Sequence, residues 1–183
     1  RTEERLNALA QAQAKTEERL NALAQAQAKT EEEIRKLAEG LRKTREDLDK
    51  LRKDFGGFSR SMSYAFENEA YRNLPRFLKE KHGIEILERF VRTEIQEEEI
   101  NFFARGKRNG KEVYIVGEAK LRLEENKKDF ERTFKELERK VEAVKKELGE
   151  VEVVKLIVTH FAKRSALKLA QEKGIIVAQS FEW

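Results

Sequence analysis

Leucines recur through the first third of the chain at the alternating three- and four-residue spacing of a helix seam, and the spacing itself repeats. TEERLNALAQAQAK occupies residues 2–15 and again 16–29, and TEEEIRKLAEGLRK (30–43) and TREDLDKLRKDFGG (44–57) keep the period. Fourteen residues make two heptads, so a strict repeat keeps one seam turned toward a partner. With Leu6 at position a, the core positions hold Leu6, Leu9, Leu20, Leu23, Ile34, Leu37, Leu41, Leu48, Leu51, Phe55 and Phe58. The same frame puts Gln13 and Gln27 at a, and Thr16, Thr30 and Thr44 at d. Such polar layers restrict register at some cost in stability. The pattern predicts a coiled coil, extending roughly 80 Å at ~1.5 Å per residue. Ala10, Ala12, Ala24 and Ala26 at e and g permit more than two strands, whereas Arg45, Asp47, Arg52 and Asp54 place charges there as dimers commonly do. A homodimer is favoured over a tetramer.

Gly56-Gly57 interrupts this pattern, since glycine is costly inside a helix. The expected division is therefore a coiled-coil oligomerisation helix over 1–57 and a separate domain over 58–183. Ten of the eleven Phe, all three Tyr and the single Trp lie at or beyond residue 58. In that domain a helix is expected over about 60–81, with Phe66, Ala70, Leu74, Phe77 and Leu78 along one stripe. Gly83 ends it. A strand over Ile84–Val91 follows, then two strands at about 96–105 and 112–119 on either side of Asn109-Gly110, the dipeptide that best suits a two-residue hairpin. A long helix over about 124–148 carries Phe130, Phe134, Leu137, Val141, Val144 and Leu148. A strand at Val151–Thr159, a short helix at Ser165–Lys173 and a last strand at Ile175–Phe181 complete the chain. The order α-β-β-β-α-β-α-β predicts an α/β domain with a mixed sheet, the late βαβ unit pairing in parallel by a right-handed crossover.

Composition narrows the classes. Charged residues are 40% of the chain but the net charge is only +4, so the signs are mixed rather than gathered in one tail. Cysteine is absent, which excludes disulfides, thiolate chemistry and Cys-type zinc sites. No apolar run approaches the roughly 20 residues of a bilayer span and no signal peptide is visible, so the expected location is the cytoplasm. Abundant Glu, Lys and Arg with one Met and one Pro resembles thermophile composition. Arg1 in place of Met suggests that sequence precedes it.

The candidate chemistry lies between Glu99 and Lys120. Strand alternation sets Tyr114, Val116, Glu118 and Lys120 on one face, and the matching inward position of the preceding strand is Asn101. Glu67 falls inside the apolar stripe of the helix over 60–81, where a carboxylate is expensive unless paired or bound to a cation. The element order together with N-(x16)-E-x-K resembles the PD-(D/E)XK nuclease superfamily, of restriction-endonuclease-like fold, over roughly residues 63–181. That resemblance implies a Mg²⁺- or Mn²⁺-dependent nuclease in which Glu118 holds the metal, Lys120 orients the attacking water and Glu67 assists. E-I-N-F-F departs from the family pattern, with Asn101 where an Asp belongs; an amide keeps one acceptor oxygen and loses the charge. Three explanations compete: a degenerate nuclease that only binds, a deliberate inactivating substitution, or Glu99 serving as the missing carboxylate.

Substrate class follows from charge. Arg105, Lys107, Arg108 and Lys111 crowd the hairpin turn, Lys120, Arg122, Lys127 and Lys128 follow the E-x-K motif, and Lys163, Arg164 and Lys168 add a third basic group. Such clusters fit sequence-independent phosphate contacts with nucleic acid, DNA in the first instance. The alternatives are a catalytically inactive DNA-binding module or an oligomeric assembly module. His82 and His160 have no metal-ligand spacing, and His160, ending an apolar run, is expected to be structural.

Overall fold

The computed structural model describes residues 1–123 and 126–183. The chain divides into two compact units, Arg1–Phe58 and Ser59–Trp183. Helix α1 (Thr2–His82) supplies all but the first residue of the first unit and opens the second. Its apolar seam from Leu6 to Phe58 is exposed. The helix break expected at Gly56-Gly57 is absent, because helical geometry passes through both glycines. Each glycine costs about 1 kcal/mol relative to Ala in a helix interior. A cost of that size lowers stability locally without ending a helix whose flanks, Arg52–Phe55 and Phe58–Met62, are all compatible with it.

The remaining elements of the second unit are β1 (Ile84–Ile86), β2 (Val91–Ile95), β3 (Glu98–Arg108), β4 (Lys111–Ala119), β5 (Arg122–Leu123), α2 (Lys127–Leu148), β6 (Val153–Thr159), β7 (Phe161–Ala162), α3 (Arg164–Glu172) and β8 (Ile175–Gln179). The α/β class with a mixed sheet behind a long N-terminal helix is therefore found. The first two positions of the expected second helix, 124 and 125, lie outside the described residues. Strands run in the order β1-β3-β4-β6-β8, with β2 also paired to β3. The pairs of β3 are antiparallel, while β4–β6 and β6–β8 are parallel, as a βαβ unit requires. The short strands β5 and β7 form a second, parallel sheet.

Two cores result, one on each face of the large sheet. Phe66, Ala70, Leu74, Phe77 and Leu78 of α1 pack on Phe102, Ala104, Val113, Ile115, Leu156 and Val158. Trp183 joins this face, its ring 5.9 Å from that of Phe66. Phe130, Phe134, Leu137, Val141 and Val144 of α2 meet Ile100, Val116, Ile157 and α3 on the other. Among the described residues, no helix is long and apolar enough to cross a membrane.

Two turns and a bulge of the backbone position the site. Asn109 and Gly110, at φ 52° and 76°, form the expected hairpin turn between β3 and β4. A second hairpin joins β2 to β3 through Gln96 and Glu97, at φ 52° and 63°; neither is a residue that favours positive φ, so no turn signal announces it. The strand expected over Ile84–Val91 is accordingly split into β1 and the start of β2, with Phe90 turned into the core. The third feature is a bulge. Val91 pairs with Phe103 but Thr93 with Ile100, so two residues of β3, Asn101 and Phe102, stand opposite the single Arg92 of β2. Ile100 thus faces the α2 core while Phe102 and Ala104 face the α1 core, and Asn101 lies between.

Opposite the bulge sits Gly117, paired with Phe102. A Cβ there would come 2.9 Å from the Phe102 Cβ and 3.3 Å from Leu156 Cδ2. Gly117→Ala is expected to destabilise the domain by roughly 1–3 kcal/mol through overpacking, read as a lower urea midpoint; an unchanged midpoint would show that the strands can spread at no cost.

Candidate functional site

Asn101 stands next to Phe102, so the β3–β4 register brings it beside Glu118 and Ala119 near the carboxyl end of β4. Its Oδ1 accepts the Ala119 N–H at 3.1 Å, and its carbonyl accepts the Tyr71 hydroxyl at 2.7 Å. α1 crosses this end of the sheet and contributes Glu67, buried at 5% exposure. The three line one pocket of about 340 Å³ together with Arg60, Tyr64, Phe66, Arg92 and Glu99. Sequence reasoning placed Glu67, Glu99, Asn101 and Glu118 in the site, and the structure brings these four to a single pocket.

Each acid there meets a cation. Arg92 of β2 reaches Glu67 Oε2 at 3.5 Å and Glu99 Oε1 at 2.5 Å, with its guanidinium 5.3 Å from the centre of the Tyr64 ring. Glu118 pairs with Lys140 of α2, both side chains largely buried at 16% and 10% exposure. Burial pushes the Glu118 carboxyl above its ordinary range, Lys140 pulls it back, and Glu136 and Glu67 add to the rise. Burial raises Glu67 as well, against the pull of Arg92 and with a further push from Glu99. The Tyr71 hydroxyl is raised chiefly by burial, then by Glu67.

Other expected residues fall elsewhere. Lys120 lies one residue beyond β4, exposed and outside the pocket lining, because β4 ends at Ala119. Arg105, Lys107 and Arg108 occupy the far half of β3 toward the Asn109-Gly110 turn, away from the pocket end. Arg105 is engaged there by Glu88 at 2.7 Å, and Arg108 by Glu152 at 3.0 Å. Arg122, Lys127 and Lys128 are exposed beyond the carboxyl end of β4, Lys127 standing 4.0 Å from Glu131. Lys127 also lines a second cavity of about 430 Å³ with Lys163 and Lys168. His160 is structural, its ring 4.1 Å from Phe66 and its Nδ1 2.9 Å from Ser180 Oγ.

Sequence reasoning missed Lys140, Arg92 and Arg60. Lys140 carried a signal: it sits three residues after Leu137 and four before Val144, at the margin of the apolar stripe of α2, where an unpaired ammonium would be costly. Arg92 carried none, because the hairpin that aims β2 at the pocket was itself unannounced.

A hard divalent cation needs several oxygen ligands, two of them usually charged carboxylates in nuclease-type sites. Here Glu67 and Glu99 are held by Arg92, Glu118 is held by Lys140, and the Asn101 oxygen is taken by a backbone N–H. Among the described residues, no group of three or more His, Cys, Asp or Glu converges to hold a metal ion. The Mg²⁺ or Mn²⁺ expected from the resemblance does not fit this donor set. Two cations, Arg92 and Lys140, thus engage all three carboxylates of the pocket.

Residues 68–182 match the family described as Domain of unknown function (DUF8196). The chain belongs to this family. The DUF8196 match takes in Arg92, Glu99, Asn101, Glu118 and Lys140, and begins one residue after Glu67. No curated protein matches the chain. Two solved structures are similar to parts of it. One is a repair endonuclease from Pyrococcus abyssi, at 19% identity and a TM-score of 0.38, covering 59% of this chain and 45% of that one. The other is an XisH family protein from Nostoc punctiforme, at 12% identity and a TM-score of 0.37, covering 62% of this chain and 93% of that one. This chain thus spans less than half the length of the Pyrococcus protein.

Proposed function

We propose that this chain is a nucleic-acid-binding module on a nuclease-type α/β scaffold, one that holds the phosphate backbone without cleaving it. The observation that carries this reading is that every carboxylate of the pocket is already engaged by a cation: Arg92 takes Glu67 and Glu99, and Lys140 takes Glu118. With those acids engaged, exposed cations near the carboxyl ends of the strands are left to meet a phosphate backbone. Arg60 lines the pocket mouth, Lys120 follows β4, Lys163 and Arg164 open α3, and Lys168 follows on that helix, all exposed. These β-strand ends are the edge at which ligands of open α/β sheets commonly bind. Lys and Arg side chains there suit phosphate contacts without base reading, and duplex DNA is the first ligand to test.

A hydrolytic reading is favoured by one observation, that Glu67, Asn101 and Glu118 line the same pocket. The two readings separate in one experiment. The protein, its Asn101→Asp and its Glu118→Ala variants are incubated with plasmid and single-stranded DNA in Mg²⁺ and in Mn²⁺, and duplex binding is followed by anisotropy. The expected result is no cleavage by the unaltered protein, with binding that survives Glu118→Ala. Five phosphate contacts would lower affinity on the order of 10²–10³-fold between 50 and 200 mM salt. Cleavage lost on Glu118→Ala would establish the hydrolase instead; absence of both cleavage and binding would remove nucleic acid from the account.

A further inference from the structure

Among the described residues, nothing covers the apolar seam of residues 1–58. Its eleven large side chains, Leu6 through Phe58, are 49–74% exposed. We infer that this seam is the interface of a parallel, in-register dimer of two copies of this chain. The inference concerns the first unit and does not depend on what the second unit binds.

A second copy fits because every layer then meets itself. The a, d, e and g positions of eight heptads supply about 30 residues a side, the number a stable protein interface uses. An antiparallel partner can also be aligned well for part of the way, since Leu6 then faces Leu37, Leu9 faces Ile34 and Leu20 faces Leu23, while Gln13 meets Thr30. That register stops near Leu41 and leaves Leu48, Leu51, Phe55 and Phe58 uncovered. An antiparallel register long enough to cover them sets Leu51 against Gln13 and Leu48 against Thr16, whereas the parallel alignment buries all four against their own copies. The parallel alignment also sets Asp47 at g against Arg52 at e of the partner subunit, an attractive pair that occurs twice in the dimer, and brings no like charges together across the seam.

The threonine layers do not oppose this pairing. Thr16, Thr30 and Thr44 donate their hydroxyls to the carbonyls of Ala12, Ala26 and Gly40, each at 2.9 Å on the same helix. A hydroxyl already bonded to its own backbone needs no partner across the interface. These layers therefore behave as small, spaced packing layers. The glutamines are different: in a parallel pair Gln13 meets Gln13 and Gln27 meets Gln27, amide to amide, although Gln27 Nε2 is also 3.4 Å from Glu31 on its own helix.

The chain contains no cysteine, so an introduced thiol reports orientation without background. Leu9→Cys and Leu51→Cys, each in the full-length protein, are expected to form disulfide-linked dimers on mild oxidation. An equimolar mixture of Leu9→Cys and Ile34→Cys is expected to give self-linked dimers only. Light scattering on the unaltered 21.5 kDa chain should give twice that mass. Replacing the three threonines together by valine should raise the melting temperature and leave the mass and the Leu9→Cys cross-link unchanged. A monomeric or higher-order mass would overturn the dimer, and cross-links confined to the Leu9→Cys and Ile34→Cys mixture would overturn the parallel orientation.

Discussion

Lys140→Met is expected to destabilise the second unit by about 3–5 kcal/mol, the usual cost of leaving one buried charge without its partner. For a domain of this size the melting temperature should fall by roughly 10–20 °C. The loss comes from Glu118, whose carboxylate keeps its burial and loses the ammonium that pairs with it. Removing both charges avoids it: Glu118→Met with Lys140→Met should return to within about 1 kcal/mol of the unaltered protein, since an apolar pair of similar volume satisfies the site. pH supplies an independent check. Burial already holds the folded-state pKa of Glu118 above the ordinary 4.5. A carboxyl raised on folding contributes its stability below the unfolded value and loses that contribution as pH rises through the folded value. Lys140 holds the folded value down, so its removal widens that window upward. The deficit of Lys140→Met should then be small at acidic pH and reach its full size near neutrality. Calorimetric scans across pH measure this, and an equal deficit at every pH would mean that lost packing rather than charge explains it.

Leu20→Glu with Leu23→Glu in the full-length chain is expected to convert the proposed dimer to a monomer of 21.5 kDa. Both residues fall in the same turn of the seam, at a and d, so the proposed dimer would have to bury four carboxylates in adjacent core layers. The functional consequence should be large. Two heads joined and binding DNA as proposed would hold a long duplex with an effective concentration set by their tether, and losing it would lower apparent affinity on the order of 10²-fold or more. A duplex too short for two heads should bind the variant and the unaltered protein alike. Anisotropy titrations on long and short duplexes distinguish these cases; equal weakening on both would place the DNA contacts in the altered helix itself.

Particular residues show what could be seen in the sequence and what could not. Asn109-Gly110 was a sufficient turn signal, and the stripe Phe66, Ala70, Leu74, Phe77, Leu78 fixed the inward face of α1 and placed Glu67 on it. Alternation along β4 correctly aligned Val116 with Glu118, but it could not say that the strand ends before Lys120. Nor could it foresee the bulge, because an extra residue in β3 is a property of the pairing with β2. Gln96-Glu97 makes a tight turn without turn residues, so the strand carrying Arg92 and its ion pairs had no local signature. The Gly56-Gly57 pair illustrates the opposite error, a strong local signal overruled by the cooperativity of a long helix. The basic residues near the hairpin turn were adjacent to the motif in sequence yet sit at the other end of the strands, since each residue along an extended strand moves ~3.3 Å away.

The placement of Trp183 has a spectroscopic consequence. It is the chain's only tryptophan, and it rests half-buried against Phe66, whose ring also lines the pocket. Indole emission from this protein therefore has a single origin, located on the α1 side of the sheet. Any ligand-induced shift in its intensity or colour reports on that one neighbourhood, with no label attached and no second indole to subtract.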